Sequence, residues 1–367
     1  MSGKGVINLQ NDIKAKSSKK AYLILENGTV FEGKSFGAVR EVTGEIVFTT
    51  GMTGYIETLT DPSYYGQIIL QTFPLIGNYG IISEDFESKD IKAKAYIVKY
   101  PCQEPSNFRS EDKLDAFLKK NNITGLYGID TRQLTKIIRD NGVMNGKITL
   151  SYPTKNDLMG AKEYYVKNAV ASVSTRKIIK KECNIKSPHK VALLDFGAKN
   201  GITEALTKRG CEVWIFPYNT KPKEILDIKP NGIMLSNGPG DPAEPANVEI
   251  IENIRELMQT GIPVFGICLG HQLMALAMGY KTQKLKFGHR GANQPVKDLS
   301  TGNVYITSQN HGYSVITNDS SFVNVNDGTC EGLDYGVCFS VQFHPEARGG
   351  PLDTSFLFER FINSFIA

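Results

Sequence analysis

Short segments that are apolar throughout alternate with amphipathic segments from Lys190 onward. Strands that are apolar on both faces, separated by helices, are typical of a parallel sheet covered on both sides. We therefore predict an α/β domain with a mostly parallel sheet over residues 189–367, with its active site at the carboxyl ends of the strands. The predicted strands are Val191–Leu194, Val213–Phe216, Gly232–Leu235 and Pro263–Ile267, and the predicted helices between them are Gly201–Arg209 and Glu249–Gln259.

The first half of the chain has a different pattern, in which short β-like runs are interrupted by turn residues. We predict a compact α+β domain over residues 21–150. A helix is expected over Thr131–Arg139, because Asp130 is a favourable N-cap and Gly142 a favourable terminator. The predicted strands include Tyr22–Leu25, Glu45–Phe48 and Gln67–Leu70.

Two further segments flank this domain. Residues 1–20 are polar and lysine-rich, with no hydrophobic stretch of the signal-peptide type, and we expect a disordered extension there. Residues 151–188 carry no strong β pattern and are interpreted as a linker with one helix over Asn156–Val170. The basic run from Arg176 to Lys181 is interpreted as a solvated surface of this linker rather than a binding patch.

The composition limits the classes of function. At 367 residues the chain accommodates two domains of ordinary size. Its 42 basic and 38 acidic residues give a net charge of +4, which does not predict a nucleic-acid partner. No apolar run reaches the roughly 20 residues that a membrane span needs. The six cysteines are widely separated, which argues against a disulfide framework and a zinc site and favours a cytoplasmic location.

A cysteine flanked by glycines follows the last predicted strand. Within the segment Gly266–Gly270, Cys268 stands before an apolar helix that we predict over Gln272–Met278. Such a strand-to-helix corner holds a nucleophile on a tight turn, and small neighbours are needed there because the backbone is strained. The helix N-terminus also stabilises a thiolate. We predict that Cys268 is a nucleophile, against the alternative of a small buried apolar residue.

A proton-transfer partner for this cysteine is found near the C-terminus. Pro345 favours an extended conformation at His344, so that His344 and Glu346 point to the same side. A carboxylate in that position can orient and charge the imidazole. The alternative is a structural histidine, but the cysteine corner favours the catalytic interpretation. Of the other histidines, His271 is interpreted as capping or packing a helix, and His311 as lying in a turn-rich segment suited to substrate contact.

Further motifs, several of them long and uncommon, are found in both halves of the chain: Thr43–Phe48, Met52–Tyr55, Leu59–Tyr64, Gly77–Asn78, Gly128–Arg132, Asp195–Lys199, Leu235–Pro242 and Lys286–Gly291. Together with the cysteine and histidine motifs they resemble the class I glutamine amidotransferases. Within that superfamily, the chain resembles the family of carbamoyl-phosphate synthetase small subunits from about Ala21 to its C-terminus.

The resemblance implies a catalytic triad of Cys268, His344 and Glu346. It also implies that the glycine loop Ser236–Gly240 and the N–H group of Leu269 surround the glutamine and the developing oxyanion. The implied L-glutamine-binding residues are Gly51, Gly238, Gly240, Leu269, Gln272, Asn310, Gly312 and Tyr313. The first of these is often a serine in relatives, and a glycine there keeps a backbone contact but lacks the hydroxyl.

The reaction that the resemblance implies is hydrolysis of L-glutamine to glutamate and ammonia through a thioester on Cys268, without a metal or organic cofactor. The chain carries no G-x-x-x-x-G-K-[ST] phosphate loop. The resemblance implies that ATP with Mg, bicarbonate and carbamoyl phosphate belong to a separate large subunit, in a heterodimer or higher assembly. We expect residues 21–150 to dock to that partner, and we expect the isolated chain to be a weak glutaminase.

Two other interpretations differ in what they require of the sequence. A class I amidotransferase of a nucleotide or anthranilate pathway would share the cysteine corner but lack the first domain. A regulatory protein without catalysis would be expected to lack one of the three triad residues, and all three are present. Arginine synthesis and pyrimidine synthesis are both open as destinations of the product.

Overall fold

The computed structural model describes residues 19–186 and 188–366. The predicted extension therefore lies mostly outside the described residues, although its boundary needs correction because Lys20 already begins the first strand. Within the described ranges, no helix is both long and apolar enough to cross a membrane.

The first domain is built around a closed β-barrel. Its strands follow the order β1-β2-β8-β6-β4-β3-β9, and β5 and β7 form a separate two-stranded sheet. Closure leaves no exposed sheet edge, and residues of one strand alternate between two apolar clusters. The strands are β1 Lys20–Leu25, β2 Val30–Gly37, β3 Val42–Thr49, β4 Gln67–Gln71, β5 Leu75–Ile76, β6 Ala95–Val98, β7 Tyr100–Pro101, β8 Thr124–Tyr127 and β9 Met144–Thr149.

The apolar run in β4 illustrates why both faces of the barrel wall are apolar. Ile68 and Leu70 join one buried cluster, and Ile69 between them joins the other. The second face is covered by helices α1 Tyr55–Thr60 and α2 Leu114–Lys120. The predicted α+β domain is therefore confirmed, although the sequence pattern did not predict that its sheet closes.

Helix α3, Thr131–Asn141, confirms the helix predicted in this domain. The side chain of Asp130 accepts a hydrogen bond of 2.9 Å from the N–H of Gln133, as an N-cap does. Gly142 ends the helix with a φ of 96°, a conformation that favours glycine.

The segment between the domains contains more regular structure than predicted. In place of one helix over Asn156–Val170 it forms α4 Lys155–Lys162 and α5 Ala169–Val173. Strand β10, Ile179–Lys181, was not predicted and pairs antiparallel with a strand of the second domain. The lysines of this basic run are exposed, in agreement with the predicted solvated surface.

The second domain contains a ten-stranded sheet with helices on its faces. The order of its strands is β10-β12-β11-β13-β14-β19-β18-β17-β15-β16. The strands are β11 His189–Asp195, β12 Cys211–Pro217, β13 Gly232–Leu235, β14 Val264–Ile267, β15 Lys281–Asp298, β16 Val304–Ile316, β17 Phe322–Asn324, β18 Cys330–Asp334 and β19 Phe339–Val341. The helices are α6 Asn200–Lys208, α7 Pro222–Asp227, α8 Val248–Met258, α9 Leu269–Ala277 and α10 Phe356–Asn363.

The prediction of a mostly parallel sheet holds only for the centre of this sheet. The pairings that join β12, β11, β13, β14 and β19 are parallel, and those of β10 and of β15 to β18 are antiparallel. The long strands β15 and β16 are rich in polar residues and partly exposed, so the apolar pattern used for prediction did not detect them. The four predicted strands are confirmed as β11 to β14.

Candidate active site

Cys268 lies on the corner between β14 and α9. Its backbone has a φ of 54° and a ψ of −101°, which is strained for a residue with a side chain. The flanking glycines leave room for this corner. A Cβ on Gly266 would lie 2.6 Å from Met274 Sδ, and one on Gly270 would lie 2.4 Å from the carbonyl oxygen of Leu235. The predicted strand-to-helix corner is therefore confirmed, although α9 begins at Leu269 and not at Gln272. The role of Cys268 as a nucleophile stays a prediction.

His344 and Glu346 follow the neighbouring parallel strand β19. The Nδ1 atom of His344 lies 2.6 Å from Oε1 of Glu346, and both side chains are buried. The N–H group of His344 donates to the carbonyl oxygen of Ser308 and so fixes the backbone of this segment. The prediction that the two side chains point to the same side is confirmed.

The second ring nitrogen of His344 is free for proton transfer. Among the described residues, His344 Nε2 is buried and has no hydrogen-bond partner. The Sγ atom of Cys268 lies 3.7 Å from the carbonyl oxygen of Asn310, and the cysteine is close enough to raise the pKa of the histidine. The Glu346 contact at Nδ1 thus leaves Nε2 as the position that can exchange a proton with the thiol or with a substrate.

The charges around His344 favour its protonated form. Burial and the nearby Lys199 ammonium lower the pKa of His344. The Glu346 carboxylate and the Cys268 side chain raise it by more, to about 10. Burial raises the pKa of Glu346, but the Lys199 and His344 cations lower it by more, to about 2. A charged imidazolium that faces a carboxylate is therefore the stable arrangement at neutral pH.

Lys199 and Glu87 extend this charge network, and the sequence pattern did not reveal their roles. The Nζ atom of Lys199 lies 2.9 Å from Glu346 Oε1 and 3.4 Å from Glu87 Oε1. All three side chains are buried, and Glu87 comes from the barrel domain. Its carboxylate also accepts a hydrogen bond from the N–H of Gly201. A buried cation with two carboxylate neighbours cannot be inferred from spacing, because Glu87 and Lys199 are distant in sequence.

A cavity of about 260 Å³ opens beside Cys268. One of its walls is fixed by Gln272, whose side-chain amide donates to the carbonyl oxygen of Tyr313 and to Oε1 of Gln342. The cavity brings together most of the residues that the resemblance implied for glutamine binding, namely Gly238, Gly240, Gln272, Asn310, Gly312 and Tyr313.

The glycine loop after β13 lines the cavity and packs tightly against the backbone of Phe196. A Cβ on Gly238 would lie 2.2 Å from the carbonyl oxygen of Phe196, so only glycine fits. Gly240 has a φ of 96°. Leu269 is the first residue of α9, where N–H groups have no partner inside the helix. The start of α9 thus offers a backbone donor next to Cys268, and Gly238 and Gly240 line the same cavity as this cysteine.

Gly51 does not line the cavity that contains most of the other implied binding residues. It lines a second cavity of about 70 Å³, together with Asn310 and His344, and does not line the first. Its carbonyl oxygen accepts a hydrogen bond from the side chain of Gln71. The structure therefore places Gly51 against a different cavity from Gln272 and the glycine loop, and Asn310 lines both cavities.

Besides Glu87, the barrel domain holds two further groups around the site. Oδ2 of Asp61 accepts a hydrogen bond of 2.9 Å from the side chain of Asn310. The hydroxyl of Ser63 accepts one of 2.9 Å from the side chain of Asn237. The candidate site is consequently an interface between the two domains.

One group among the described residues could offer three ligands to a metal ion: His289, His311 and Glu331. Its atoms are already engaged in hydrogen bonds. His311 Nδ1 lies 2.8 Å from the carbonyl oxygen of Tyr313, and Glu331 Oε2 accepts from the side chain of Gln309.

The interpretation of His311 as part of a turn is wrong, since it lies in β16, but it does line the first cavity. His271 is buried within α9, as predicted.

Comparisons with known proteins match both domains. Residues 23–148 match a family model described as the carbamoyl-phosphate synthase small chain, CPSase domain, and residues 192–364 match class-I glutamine amidotransferases. The carbamoyl phosphate synthase small chain of Clostridium perfringens is 52% identical over 94% of this chain and 99% of its own length. The carbamoyl phosphate synthase pyrimidine-specific small chain of Halalkalibacterium halodurans is 50% identical over 94% and 96%.

Among solved structures, a glutamine amidotransferase of Thermotoga maritima is 15% identical, with a TM-score of 0.39 over 49% of this chain and 97% of its own. The evidence for the family comes instead from the relatives that match nearly the whole chain. The chain belongs to the carbamoyl phosphate synthase small chains, and its second domain is a class-I glutamine amidotransferase domain.

Proposed function

We propose that this chain hydrolyses L-glutamine to glutamate and ammonia, and that Cys268, His344 and Glu346 carry out the reaction. One observation carries the proposal. Cys268 occupies a strained corner beside a cavity, and it lies close to a buried histidine whose Nδ1 is held by Glu346 and whose Nε2 is free. This arrangement provides a nucleophile, a proton carrier and a group that orients the carrier.

The first step is attack of the Cys268 thiolate on the side-chain carboxamide of glutamine. The carbon–sulfur bond forms as the imidazolium of His344 gives its proton to the leaving nitrogen, so that ammonia departs and a glutamyl thioester remains. We assign the oxyanion to the N–H group of Leu269 and to the loop that contains Gly238. A donor of this kind lowers a barrier by about 3–4 kcal/mol.

The second step is hydrolysis of the thioester. Neutral His344 takes a proton from water, which attacks the carbonyl carbon and releases glutamate and the Cys268 sulfur. Glu346 stays ionised throughout and holds the ring through Nδ1. The remaining polar residues of the first cavity, Gln272 and Asn310 among them, hold the amino-acid end of the substrate.

We propose further that the ammonia is used by a separate large subunit. The support is that the relatives of this chain are named as small chains of carbamoyl phosphate synthase. The large subunit would bind ATP with Mg and bicarbonate, form a heterodimer or a higher assembly with this chain, and contact the barrel domain. We place the complex in the cytoplasm. The carbamoyl phosphate made from this ammonia would serve arginine synthesis, pyrimidine synthesis or both.

The test is release of glutamate from glutamine by the purified chain, with and without its large subunit. Cys268→Ser should abolish the release under both conditions, because a neutral hydroxyl is a much weaker nucleophile than a thiolate. The matched control is Cys102→Ser, a half-buried cysteine of the barrel domain, which should retain the wild-type rate. The large subunit should increase the wild-type rate.

Two results would count against the proposal in different ways. Undiminished hydrolysis by Cys268→Ser would exclude Cys268 as the nucleophile. A wild-type rate that is the same with and without the large subunit would leave the glutaminase reaction standing but contradict its coupling to a partner.

A further inference from the structure

Arg290 is a buried cation that lines the first cavity. It lies in β15 opposite Asn310 of β16. Its Nη1 donates a hydrogen bond of 2.6 Å to the carbonyl oxygen of Phe287, and its Nε is buried without any partner. Across residues 19–186 and 188–366, no carboxylate lies within ion-pair distance of this guanidinium. Among the described residues, the side chain therefore has no ion-pair partner, and one of its donors is unused.

A buried cation without an ion-pair partner is strongly unfavourable unless a group of opposite charge binds to it. Burial lowers the pKa of Arg290, while the nearby Tyr64, Glu45 and Cys268 raise it. The other cation that lines the cavity is in a different situation, because Lys284 Nζ lies 2.6 Å from Glu45 Oε1. Of the two, only Arg290 lacks a carboxylate partner, and its Nε is unused when an anion enters the cavity.

Glutamine brings one permanent anion into this cavity. Its α-carboxylate is separated by a short carbon chain from the carboxamide that must reach Cys268. Arg290 is close enough to Cys268 for the two to interact electrostatically, and the sulfur lies next to the carbonyl oxygen of Asn310, the cross-strand neighbour of Arg290. A planar guanidinium with several donors matches a carboxylate in shape and charge.

We propose that the guanidinium of Arg290 binds the α-carboxylate of L-glutamine and so determines specificity for a free amino acid over substrates in which this carboxylate is blocked. The inference rests on the proposed glutaminase function. The α-carboxylate of bound glutamine would then supply the ion-pair partner that Arg290 lacks in the protein alone.

The competing role for Arg290 is stabilisation of the Cys268 thiolate. The two roles differ in what they require of the substrate. If Arg290 binds the carboxylate, its removal lowers kcat/KM only for substrates that carry the carboxylate. If it stabilises the thiolate, its removal lowers kcat/KM for every substrate to the same degree.

The experiment compares L-glutamine with L-glutaminamide, in which a neutral amide replaces the α-carboxylate, for the wild type and Arg290→Gln. Ammonia release is measured with the large subunit present. Arg290→Gln should raise KM for glutamine by roughly tenfold or more, the scale expected for a lost charge-assisted contact, with a smaller change in kcat. For glutaminamide, kcat/KM should stay within about threefold of the wild type, because the contact is already absent.

Two control variants distinguish a lost carboxylate contact from misfolding and from a general effect of charge in the cavity. Arg290→Lys keeps the charge but not the planar donors, and should give an intermediate KM for glutamine. Lys284→Met removes the cavity cation that is already paired with Glu45, and should leave the ratio of the two substrates unchanged. A preference for glutamine that depends on Lys284 instead of Arg290 would overturn the inference.

An equal loss of kcat/KM for both substrates, in Arg290→Gln and Arg290→Lys, would also overturn it. So would an unchanged KM for glutamine in Arg290→Gln. Dependence of wild-type hydrolysis on Cys268, measured in the same assay, separates these outcomes from failure of the glutaminase function itself.

Discussion

At the scale of single residues, the proton-transfer properties of His344 depend on its neighbours. A solvated imidazole loses its proton near neutral pH. The Glu346 carboxylate and the Cys268 side chain raise the pKa of His344 to about 10, against the lowering by burial and Lys199. The imidazolium is then present at neutral pH and can protonate departing ammonia.

This charge balance predicts a pH effect for Glu346→Gln. In the wild type, kcat/KM for glutamine should fall as the pH rises through about 10, where His344 loses its proton. The variant loses the main group that raises this pKa, while burial and Lys199 continue to lower it. The alkaline limb of the pH profile should therefore move to lower pH, with a lower maximum rate. A limb that stays in place would show that Glu346 does not set the charge of His344.

Sequence spacing predicted the triad but not the groups that surround it. The glycines around Cys268 and the proline after His344 are local signals, because they fix the backbone at those residues. Lys199 and Arg290 carry no such signal. Their importance comes from burial and from missing or shared partners, and these are properties of the folded chain.

At the scale of elements, the site depends on close contact between the start of α9 and the end of β13. Gly270 lies in the first turn of α9, and a Cβ there would lie 2.4 Å from the carbonyl oxygen of Leu235. The N–H of Gly270 donates to the carbonyl oxygen of Ser236, which links the helix to the glycine loop. The corner and the loop are thus held together by one glycine.

We predict that Gly270→Ala destabilises the protein by about 1–3 kcal/mol, because backbone must move to admit the methyl group. KM for glutamine should rise with it. Gly160→Ala is the matched control, since Gly160 also lies in a helix but has open space around its Cα. That change should stabilise the protein by up to about 1 kcal/mol. Thermal unfolding measures the stability change of each variant, and equal changes at the two positions would contradict the packing argument.

The elements that sequence predicted best are the buried ones. Strands β11 to β14 were predicted because they are apolar on both faces. Strands β15 and β16 were missed because they are exposed in part and contain register shifts in their pairing. The short strand β10 was missed because a run of lysines at a sheet edge has the same composition as a solvated loop.

At the scale of the whole molecule, the barrel domain forms part of the candidate active site. Asp61, Ser63 and Glu87 all come from this domain, and they contact Asn310, Asn237 and Lys199 of the second domain respectively. For the first domain, the sequence motifs indicated partner contact and, through the resemblance, one glutamine contact at Gly51. Contacts between residues so far apart in sequence could not be inferred from local pattern.

The interface predicts an effect for Asp61→Ala on catalysis. Asp61 is buried and orients Asn310, whose carbonyl oxygen lies against Cys268. Loss of a charge-assisted hydrogen bond costs about 1.5–3 kcal/mol, so kcat/KM for glutamine should fall roughly tenfold or more. Glu104→Ala, which removes an exposed ion pair with Lys113 in the same domain, should have no effect on kcat/KM. Equal rates for the two variants would exclude a catalytic contribution from the interface.

The central claim is that glutamine is hydrolysed through a thioester on Cys268, and the most direct measurement is the mass of the enzyme during turnover. The chain with its large subunit would be mixed with glutamine, quenched in acid, digested and analysed by mass spectrometry. We predict that the peptide containing Cys268 gains the mass of one glutamyl group, and that Cys268→Ser shows no such gain. Continued hydrolysis without this adduct, or an adduct on another of the six cysteines, would contradict the account.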